Sequence, residues 1–135
     1  MLVNGGIELL TEGECRELLG TEQIGRIGLS MGALPAIFPV QYRVVGEDIF
    51  FRTGEGSKRR AALEGSVVGF EVDRIDPATA TGWSVLVVGM AREVTLDEEA
   101  PAGCDGIVAW TDGERCHLIR IHPEVVSGRR IRPPT

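Results

Sequence analysis

The sequence predicts one mainly β domain, folded as an antiparallel barrel of six short strands with two small helices. Segments rich in β-branched and aromatic residues alternate with period two, and glycine or proline punctuates them. A chain of 135 residues with 43% apolar residues builds one core, so residues 1–135 form a single domain. Closing the sheet into a barrel removes exposed edges that so short a chain has few other elements to cover.

The first element is a short helix that begins at Thr11. Residues 11–14, Thr-Glu-Gly-Glu, have the form of a capping box, in which the threonine hydroxyl accepts from an early N–H and the second glutamate reaches back. Cys15, Leu18 and Leu19 form an apolar stripe at helical spacing. Gly20 is the predicted end of the helix.

The strand signal starts at Gln23 and covers two segments, residues 24–29 and 34–45. In the second segment, the residues at even-numbered positions differ from those at odd-numbered positions. This alternation with period two predicts a strand with two different faces. Pro35 and Pro39 cannot donate ladder hydrogen bonds, so this strand has either one edge without a regular partner or a bulge. Open backbone beside a sheet is a place where a flat ligand docks.

The remaining elements follow from the same signals. The chain continues with a third strand at 48–53, a turn at 54–56, a brief helix at 57–63 capped by Ser57, and a fourth strand at 66–72. It then has a loop at 77–82, a fifth strand at 83–96 bent at Gly89, and a sixth strand at 116–121 that ends at His122 and Pro123. Residues 98–114 and the tail 125–131 carry no assignment.

Composition argues against two classes of partner. The formal net charge is −6, from 14 basic and 20 acidic residues, whereas nonspecific binding to nucleic acid or anionic membranes needs excess cations. The basic residues gather at 58–60 and 129–132, which leaves room for a local cationic pocket. Three widely spaced cysteines predict no disulfide framework, and no leader or long apolar run is visible, so we expect a cytoplasmic protein.

Residues 52–59, Arg-Thr-Gly-Glu-Gly-Ser-Lys-Arg, are the strongest candidate for a binding site. A helix N-terminus offers free N–H groups, glycines allow close backbone approach, and the hydroxyls and cations add directed donors, which together suit a phosphate monoester. The order and spacing differ from a Walker A loop, which disfavours nucleoside triphosphate hydrolysis. By itself the string is equally consistent with a turn followed by a solvated helix face.

Several segments together resemble the pyridoxamine 5'-phosphate oxidase-like family of flavin-binding split barrels, particularly its short actinobacterial-type members. The resemblance spans most of the chain and rests on the order and spacing of five segments. These are residues 25–28, 35–42, 51–58, 83–91, and 121–124 with 128–131.

The resemblance implies a homodimer of split barrels with FMN at the subunit interface. Its isoalloxazine ring is expected beside the proline-bearing strand and its phosphate at the strand–turn–helix. The residues implied for the phosphate are Arg52, Thr53, Ser57 and Lys58. Those implied for the ring are Pro39, Val40 and Gln41 through their backbone, and Trp83, Ser84 and Val85 as a lining. Arg129 and Arg130 are expected to reach the flavin of the partner subunit.

The resemblance leaves ligand and activity open. The C-terminal Arg-and-His segment of true pyridoxamine phosphate oxidases is not found here, and relatives bind deazaflavin or haem as well as FMN. The leading hypothesis is an FMN-dependent oxidoreductase in which the flavin carries hydride or electrons and no catalytic side chain is needed. The alternatives are a non-enzymatic module that binds or senses a flavin, deazaflavin or haem, and a purely structural dimeric barrel.

A zinc site is disfavoured. Cys104, Cys116, His117 and His122 lack the Cys-x-x-Cys spacing, and neighbouring residues on a strand point to opposite faces. We expect Cys116 inside the barrel and His117 outside it. Tyr42 and Trp83 are expected in the core, with contact to the flavin as the alternative.

Overall fold

A computed structural model describes residues 2–3, 6–54, 62–94, 104, 106–107 and 116–133. Within these residues the strands are β1 (Leu2–Val3), β2 (Ile7–Leu9), β3 (Ile24–Met31), β4 (Leu34–Val45), β5 (Asp48–Gly54), β6 (Ser66–Asp76), β7 (Thr81–Glu93) and β8 (Cys116–Ile131). The helix α1 spans Glu12–Leu19.

The strands close into a ring, which confirms the predicted six-stranded antiparallel barrel. Their order is β1-β2-β8-β5-β4-β3-β6-β7, and β7 also pairs with β8, so six strands from β3 to β8 form the ring. Every pairing is antiparallel. The short strands β1 and β2, which the sequence did not predict, extend the sheet beyond the far end of β8.

Helix α1 has the predicted capping. The Thr11 hydroxyl accepts from the Glu14 N–H at 3.2 Å, and the Glu14 carboxylate accepts from the Thr11 N–H at 3.0 Å. These bonds favour the charged form of Glu14 and lower its pKa. The helix ends at Gly20 and packs on β8, where a Cβ on Gly128 would lie 2.7 Å from the Cys15 sulfur. No helix among the described residues is long and apolar enough to cross a membrane.

The predicted end of the last strand at His122 and Pro123 is wrong. β8 runs on to Ile131 and includes the tail that had no assignment. Its register against β7 shifts between Val88 and Gly89, and Pro123 lies opposite Gly89 at this bulge, so the proline is accommodated without breaking the strand. A Cβ on Gly89 would lie 2.1 Å from the His122 carbonyl oxygen, which explains the glycine at the predicted bend.

Other boundaries differ from prediction or lie outside the described residues. β6 extends to Asp76 and β7 begins at Thr81, so the predicted loop at 77–82 shrinks to a turn. Within the predicted helix 57–63, Ala62 and Leu63 are helical and the earlier residues lie outside the described part. Most of residues 98–114 and the last two residues of the predicted fifth strand also lie outside the described part.

Side chains along the strands alternate between two faces. The inward face forms the barrel core and consists of residues such as Ile27, Phe38, Tyr42, Phe70, Val72, Val85 and Val87. The outward face of β3, β4, β6, β7 and β8 carries the intervening residues. A second apolar cluster, Phe50, Cys104, Ile107 and Leu118, covers the outside of β5 and the first half of β8.

Candidate functional site

β4 and β5 separate after one short stretch of pairing, and this separation, the split, is the main opening beside the predicted site residues. The strands pair from Val45 and Asp48 as far as Tyr42 and Phe51. Beyond that point β5 stays on β8, where Arg52 lies opposite Leu118, while the first half of β4 stays on β3. Gln41 and Arg52 therefore stand on the two sides of the split.

The proline-bearing half of β4 presents one edge of its backbone to the split. The Tyr42 N–H donates to the Gln23 carbonyl at 2.9 Å, so even-numbered residues of β4 bond towards β3. Pro35, Ile37 and Pro39 face the other way, and no strand among the described residues pairs with these three positions there. This confirms the predicted edge without a regular partner. Because prolines carry no N–H, the edge is rich in carbonyl acceptors and suits a ligand that donates.

The residues predicted around this opening differ in what they can offer. Pro39 and Gln41 belong to the outward set, whereas Val40 is 6% exposed, packs in the core and, at an even-numbered position, directs its backbone towards β3. Arg52 is half-buried and Thr53 is 4% exposed at the end of β5. Ser57 and Lys58 lie outside the described residues, so their predicted phosphate contacts stay predictions.

The other predicted residues lie together on β7 and β8. Ser84 pairs with Arg129 and Trp83 with Arg130. Trp83 and Val85 turn inward and are buried, which confirms Trp83 as a core residue. Ser84 and Arg129 face outward and line a cleft of about 280 Å³ together with Ile7, Leu9, Leu86, Ser127 and Gly128. A guanidinium and two hydroxyls over an apolar floor suit a ligand with an anionic or polar edge.

The two groups lie on different strands of the ring. β3 and β6 lie between β4 and β7 in the strand order, whereas β5 pairs directly with β8. Arg52 on β5 lies opposite Leu118, and Arg129 lies near the other end of β8.

A cluster of charged residues that the sequence did not single out lies between the two groups. The Arg26 Nη1 atom is 4.0 Å from Glu71 Oε1 and 3.9 Å from Asp73 Oδ2. Burial, then the hydrogen bond with Asp73 and the charge of Asp73, raise the pKa of Glu71 to about 7 against the opposing effect of Arg26. Glu71 Oε1 is excluded from solvent and has no hydrogen-bond partner among the described residues, since the 4.0 Å from Arg26 Nη1 is too long for such a bond.

This cluster forms one end of a second cleft, of about 360 Å³. Its floor contains Gly28 and Gly69, which lie directly opposite each other on β3 and β6. Ile37 and Leu86 stand on either side, and Leu86 also lines the first cleft. In the sequence, Glu71 and Asp73 look like an ordinary solvated face, because carboxylates two residues apart on a strand are typical of one. The cluster is visible only in the sheet register, which sets Arg26 opposite Glu71.

Both histidines interact with carboxylates. His117 Nδ1 bonds with the Glu93 carboxylate, and His122 Nδ1 lies 2.8 Å from Asp48 Oδ1. The His117 side chain is 19% exposed and follows the inward alternation of Ile119 and Ile121, so its predicted position outside the barrel is wrong. The side chain of Cys116 lies outside the described part.

The chain matches the family model described as pyridoxamine 5'-phosphate oxidase over residues 11–130. A curated relative, the uncharacterized protein Rv0080 of Mycobacterium tuberculosis, is 36% identical over 127 residues, which cover 90% of this chain and 84% of the relative.

Solved structures with the same fold include two actinobacterial proteins. The FAD binding protein from Mycobacterium smegmatis is 32% identical with a TM-score of 0.73, and the match covers 93% of this chain and 99% of that one. A protein from Corynebacterium glutamicum, described as a pyridoxamine 5'-phosphate oxidase by homology, is 31% identical with a TM-score of 0.77, covering 93% and 98%.

Proposed function

The chain belongs to the pyridoxamine 5'-phosphate oxidase family, and on this basis we propose that it binds a flavin nucleotide at the split and uses it as an oxidoreductase on a small molecule. The observation that carries the proposal is the open, proline-bearing edge of β4 facing the end of β5. The flavin supplies the hydride or electron transfer when bound. The protein supplies position, hydrogen bonds and a site that excludes water.

The residues at the split fit the two ends of a flavin nucleotide. The carbonyl-rich edge at Pro39 and Gln41 accepts from ring N–H groups, and the buried backbone of Val40 fixes that edge in place. Arg52 and Thr53 end β5 beside the glycine-containing segment, so they hold the phosphate together with Ser57 and Lys58 in our proposal.

The proposed ligand is defined by the chemistry that FMN and FAD share, which is the isoalloxazine ring and the first phosphate. The family resemblance implies FMN, whereas the M. smegmatis protein at 32% identity is an FAD binding protein. The cleft at Ser84, Ser127 and Arg129 offers donors to a second phosphate or an adenosine if it lies next to the ring in the assembled protein.

The assembly in the proposal is a homodimer with the cofactor at the subunit interface. In this proposal the split of one copy holds the flavin, and Ser84, Arg129 and Arg130 of the second copy face it from β7 and β8. Each cofactor then has one subunit for its phosphate and ring edge and the other subunit for its open side.

The test is the absorption spectrum of the purified protein, before and after denaturation, with mass spectrometry of the released ligand. We expect a flavin spectrum, or its appearance on titration with FMN or FAD, with the tighter ligand identifying the nucleotide. A haem or deazaflavin spectrum would replace the flavin, and a colourless protein whose thermal stability neither FMN nor FAD raises would overturn the cofactor assignment.

Variants locate the phosphate site. Arg52→Ala and Lys58→Ala should each weaken flavin binding by about tenfold or more, because each removes a charge-assisted bond to a dianion. Arg92→Ala, an exposed cation on β7, is the matched control and should bind as the wild type does.

The oxidoreductase part has its own test. A nicotinamide donor should reduce the bound flavin, and an added acceptor should reoxidise it. A flavin that binds tightly yet is reduced by no physiological donor would leave the cofactor in place and make the protein a binding or sensing module.

A further inference from the structure

Two polar side chains lie next to each other at the end of the barrel where β5 ends and β8 begins. Thr53 is 4% exposed, and the His117 side chain is 19% exposed. They are direct partners in the β5–β8 register, and each follows the inward alternation of its strand, two residues from Phe51 and Ile119 respectively. Directly opposed residues on one face of an antiparallel pair have Cβ atoms about 5 Å apart. The hydroxyl and the imidazole therefore point into the same end of the barrel.

Glu93 fixes the orientation of the His117 ring. Its carboxylate bonds with His117 Nδ1. Glu93 lies on β7, and Thr53 lies on β5, so these two residues stand on opposite sides of the start of β8. Because the two nitrogens of an imidazole point to different sides of the ring, Nε2 is directed away from Glu93. A carboxylate on one ring nitrogen is a common way to position the other nitrogen for a ligand.

The second ring nitrogen of His117 has an unused capacity for hydrogen bonding. Nε2 is withdrawn from solvent and has no partner among the described residues. Buried polar atoms normally have a partner, because leaving one unpaired is costly. A histidine that only closed the end of the barrel would be expected to have both nitrogens bonded within the protein.

This end of the barrel is also where the predicted phosphate segment begins and ends. β5 leads from Thr53 into residues 55–61, which lie outside the described part. Just beyond that segment, the Glu64 carboxylate accepts from the Glu93 N–H at 2.7 Å. The residues that flank the segment are thus neighbours of the His117 ring on both sides.

We propose that His117 Nε2 is a further phosphate-binding group of the nucleotide site, held in place by Glu93 and acting beside the Thr53 hydroxyl. The inference rests on the proposed function for the presence of a phosphate at Thr53. It adds a residue from β8 that the predicted site did not include, and a proton that is bound together with the phosphate.

The proton follows from the bond to Glu93. Nδ1–H donates to the Glu93 carboxylate, so Nε2 carries a hydrogen only when the ring is the imidazolium cation. A phosphate that accepts from Nε2–H stabilises this cation, because the ring then has an anion on each side. Phosphate binding therefore takes up a proton at His117.

The charges around the ring give the cation a specific purpose. Glu93 faces it from β7 with Glu64 behind, and β5 faces it with the uncharged Thr53. A dianion brought next to two carboxylates is repelled unless a cation stands between them. The other charged residues nearby on these strands occupy the intervening, outward positions: Arg52, Arg92 and Arg120.

The first experiment compares FMN with riboflavin, which lacks the phosphate, by titrating each into the full chain at about pH 7. His117→Asn places an amide near Nδ1 and nothing near Nε2, so FMN should bind about tenfold more weakly while riboflavin binds as before. His117→Gln places its amide near Nε2 and should keep FMN affinity within about threefold of wild type.

His122→Asn is the matched control for these variants. His122 is the other histidine of β8, its side chain is 64% exposed, and it bonds with Asp48 instead. This variant should bind both ligands as the wild type does. Equal weakening of FMN and riboflavin in His117→Asn, or no weakening of FMN, would overturn the assignment of Nε2 to the phosphate.

The second experiment tests the proton by measuring both affinities between about pH 7 and 8.5, where a phosphate monoester is already a dianion. Because binding takes up a proton, wild-type affinity for FMN should fall at least about fivefold as the pH rises, whereas affinity for riboflavin should stay constant. His117→Gln and Glu93→Gln should both show a flatter FMN profile. Parallel profiles for FMN and riboflavin in the wild type would show that no proton is bound with the phosphate.

These outcomes separate the inference from the proposed function. A protein that binds FMN more tightly than riboflavin, but does so equally well in wild type and His117→Asn, keeps the flavin site and loses this role of His117. A protein that binds neither FMN, FAD nor riboflavin loses both.

Discussion

The two faces of β6 show how one strand serves two purposes. Phe70 and Val72 are fully buried in the barrel, while Glu71 and Asp73, each next to them in sequence, lie on the outward face with Arg26. The inward residues are apolar and interlock, which makes the fold. The outward residues include charged, apolar and glycine positions. The proposed function depends on this outward side of the sheet.

Two glycines of β3, Gly25 and Gly28, differ in the space that a Cβ atom would have. A Cβ on Gly25 would lie 2.5 Å from the Phe70 ring, whereas a Cβ on Gly28 would have its nearest neighbour 3.8 Å away. Gly25 is therefore required by packing, and Gly28 is required only if something approaches the outward face closely. The comparison predicts that substitutions at packed inward positions change stability more than outward ones do.

The largest effect is expected for Phe70→Ala. Phe70 is fully buried and makes an edge-to-face contact with Tyr42 at a centroid distance of 5.0 Å. Its loss should lower the free energy of unfolding by about 4 kcal/mol, measured by urea denaturation. Val67→Ala on the same strand, where the side chain is 61% exposed, should cost less than about 0.5 kcal/mol. Similar costs at both positions would break the distinction between the faces.

The next effect is expected for Gly25→Ala. The added methyl group meets the Phe70 ring and the Glu71 carbonyl, so overpacking should cost about 2 kcal/mol of unfolding free energy. Gly28→Ala should leave stability unchanged within about 0.5 kcal/mol, because a Cβ fits there and strand glycines are entropically costly. Equal costs at Gly25 and Gly28 would contradict this difference in packing.

A smaller effect is expected for Tyr42→Phe. The buried Tyr42 hydroxyl donates to the Leu19 carbonyl at 2.5 Å and ties the end of α1 to the barrel, and burial raises its pKa so that it remains a donor. Its loss should cost about 1 kcal/mol in thermal or urea unfolding. Thr21→Val removes the exposed bond from Thr21 to the adjacent Leu18 carbonyl at 2.8 Å and should cost less than half as much. A greater cost at Thr21 would contradict the ranking.

Features encoded by nearby residues could be predicted from the sequence. The capping box at Thr11 and Glu14 needs only four consecutive residues, and the alternation in residues 34–45 fixes a two-faced strand. Pro35 and Pro39 predicted either an edge without a regular partner or a bulge, because neither residue can donate a backbone hydrogen bond. The barrel followed from counting strands and their edges.

Features that depend on distant partners could not be predicted. Pro123 reads locally as the end of a strand, and only Gly89 on β7 shows that a bulge accommodates it. The cluster of Arg26 and Glu71 exists because the β3–β6 register sets these residues opposite each other across 45 residues of chain. The placement of Arg129 relative to the split depends on strand order, which no local pattern contains.

The smallest effect is expected for the pH dependence of folding that Glu71 contributes. Its pKa is raised from the ordinary 4.5 to about 7, so the folded chain holds this proton more tightly than the unfolded chain does. That stabilisation is complete below about pH 4.5 and is lost as the pH rises through about 7; because the side chain is 35% exposed, solvent screening keeps it below ~1 kcal/mol.

Urea denaturation of wild type and Glu71→Gln across this range, at fixed protein concentration, isolates the contribution, since the glutamine cannot titrate. The difference between the two proteins should change in the direction of a wild type that loses stability as the pH rises. Glu14 should show the opposite sign, because its pKa is lowered by the capping bonds and its contribution is lost as the pH falls. If Glu71→Gln and wild type have parallel pH profiles, the outward carboxyl is solvated like any other, and the contrast between the faces reduces to packing alone.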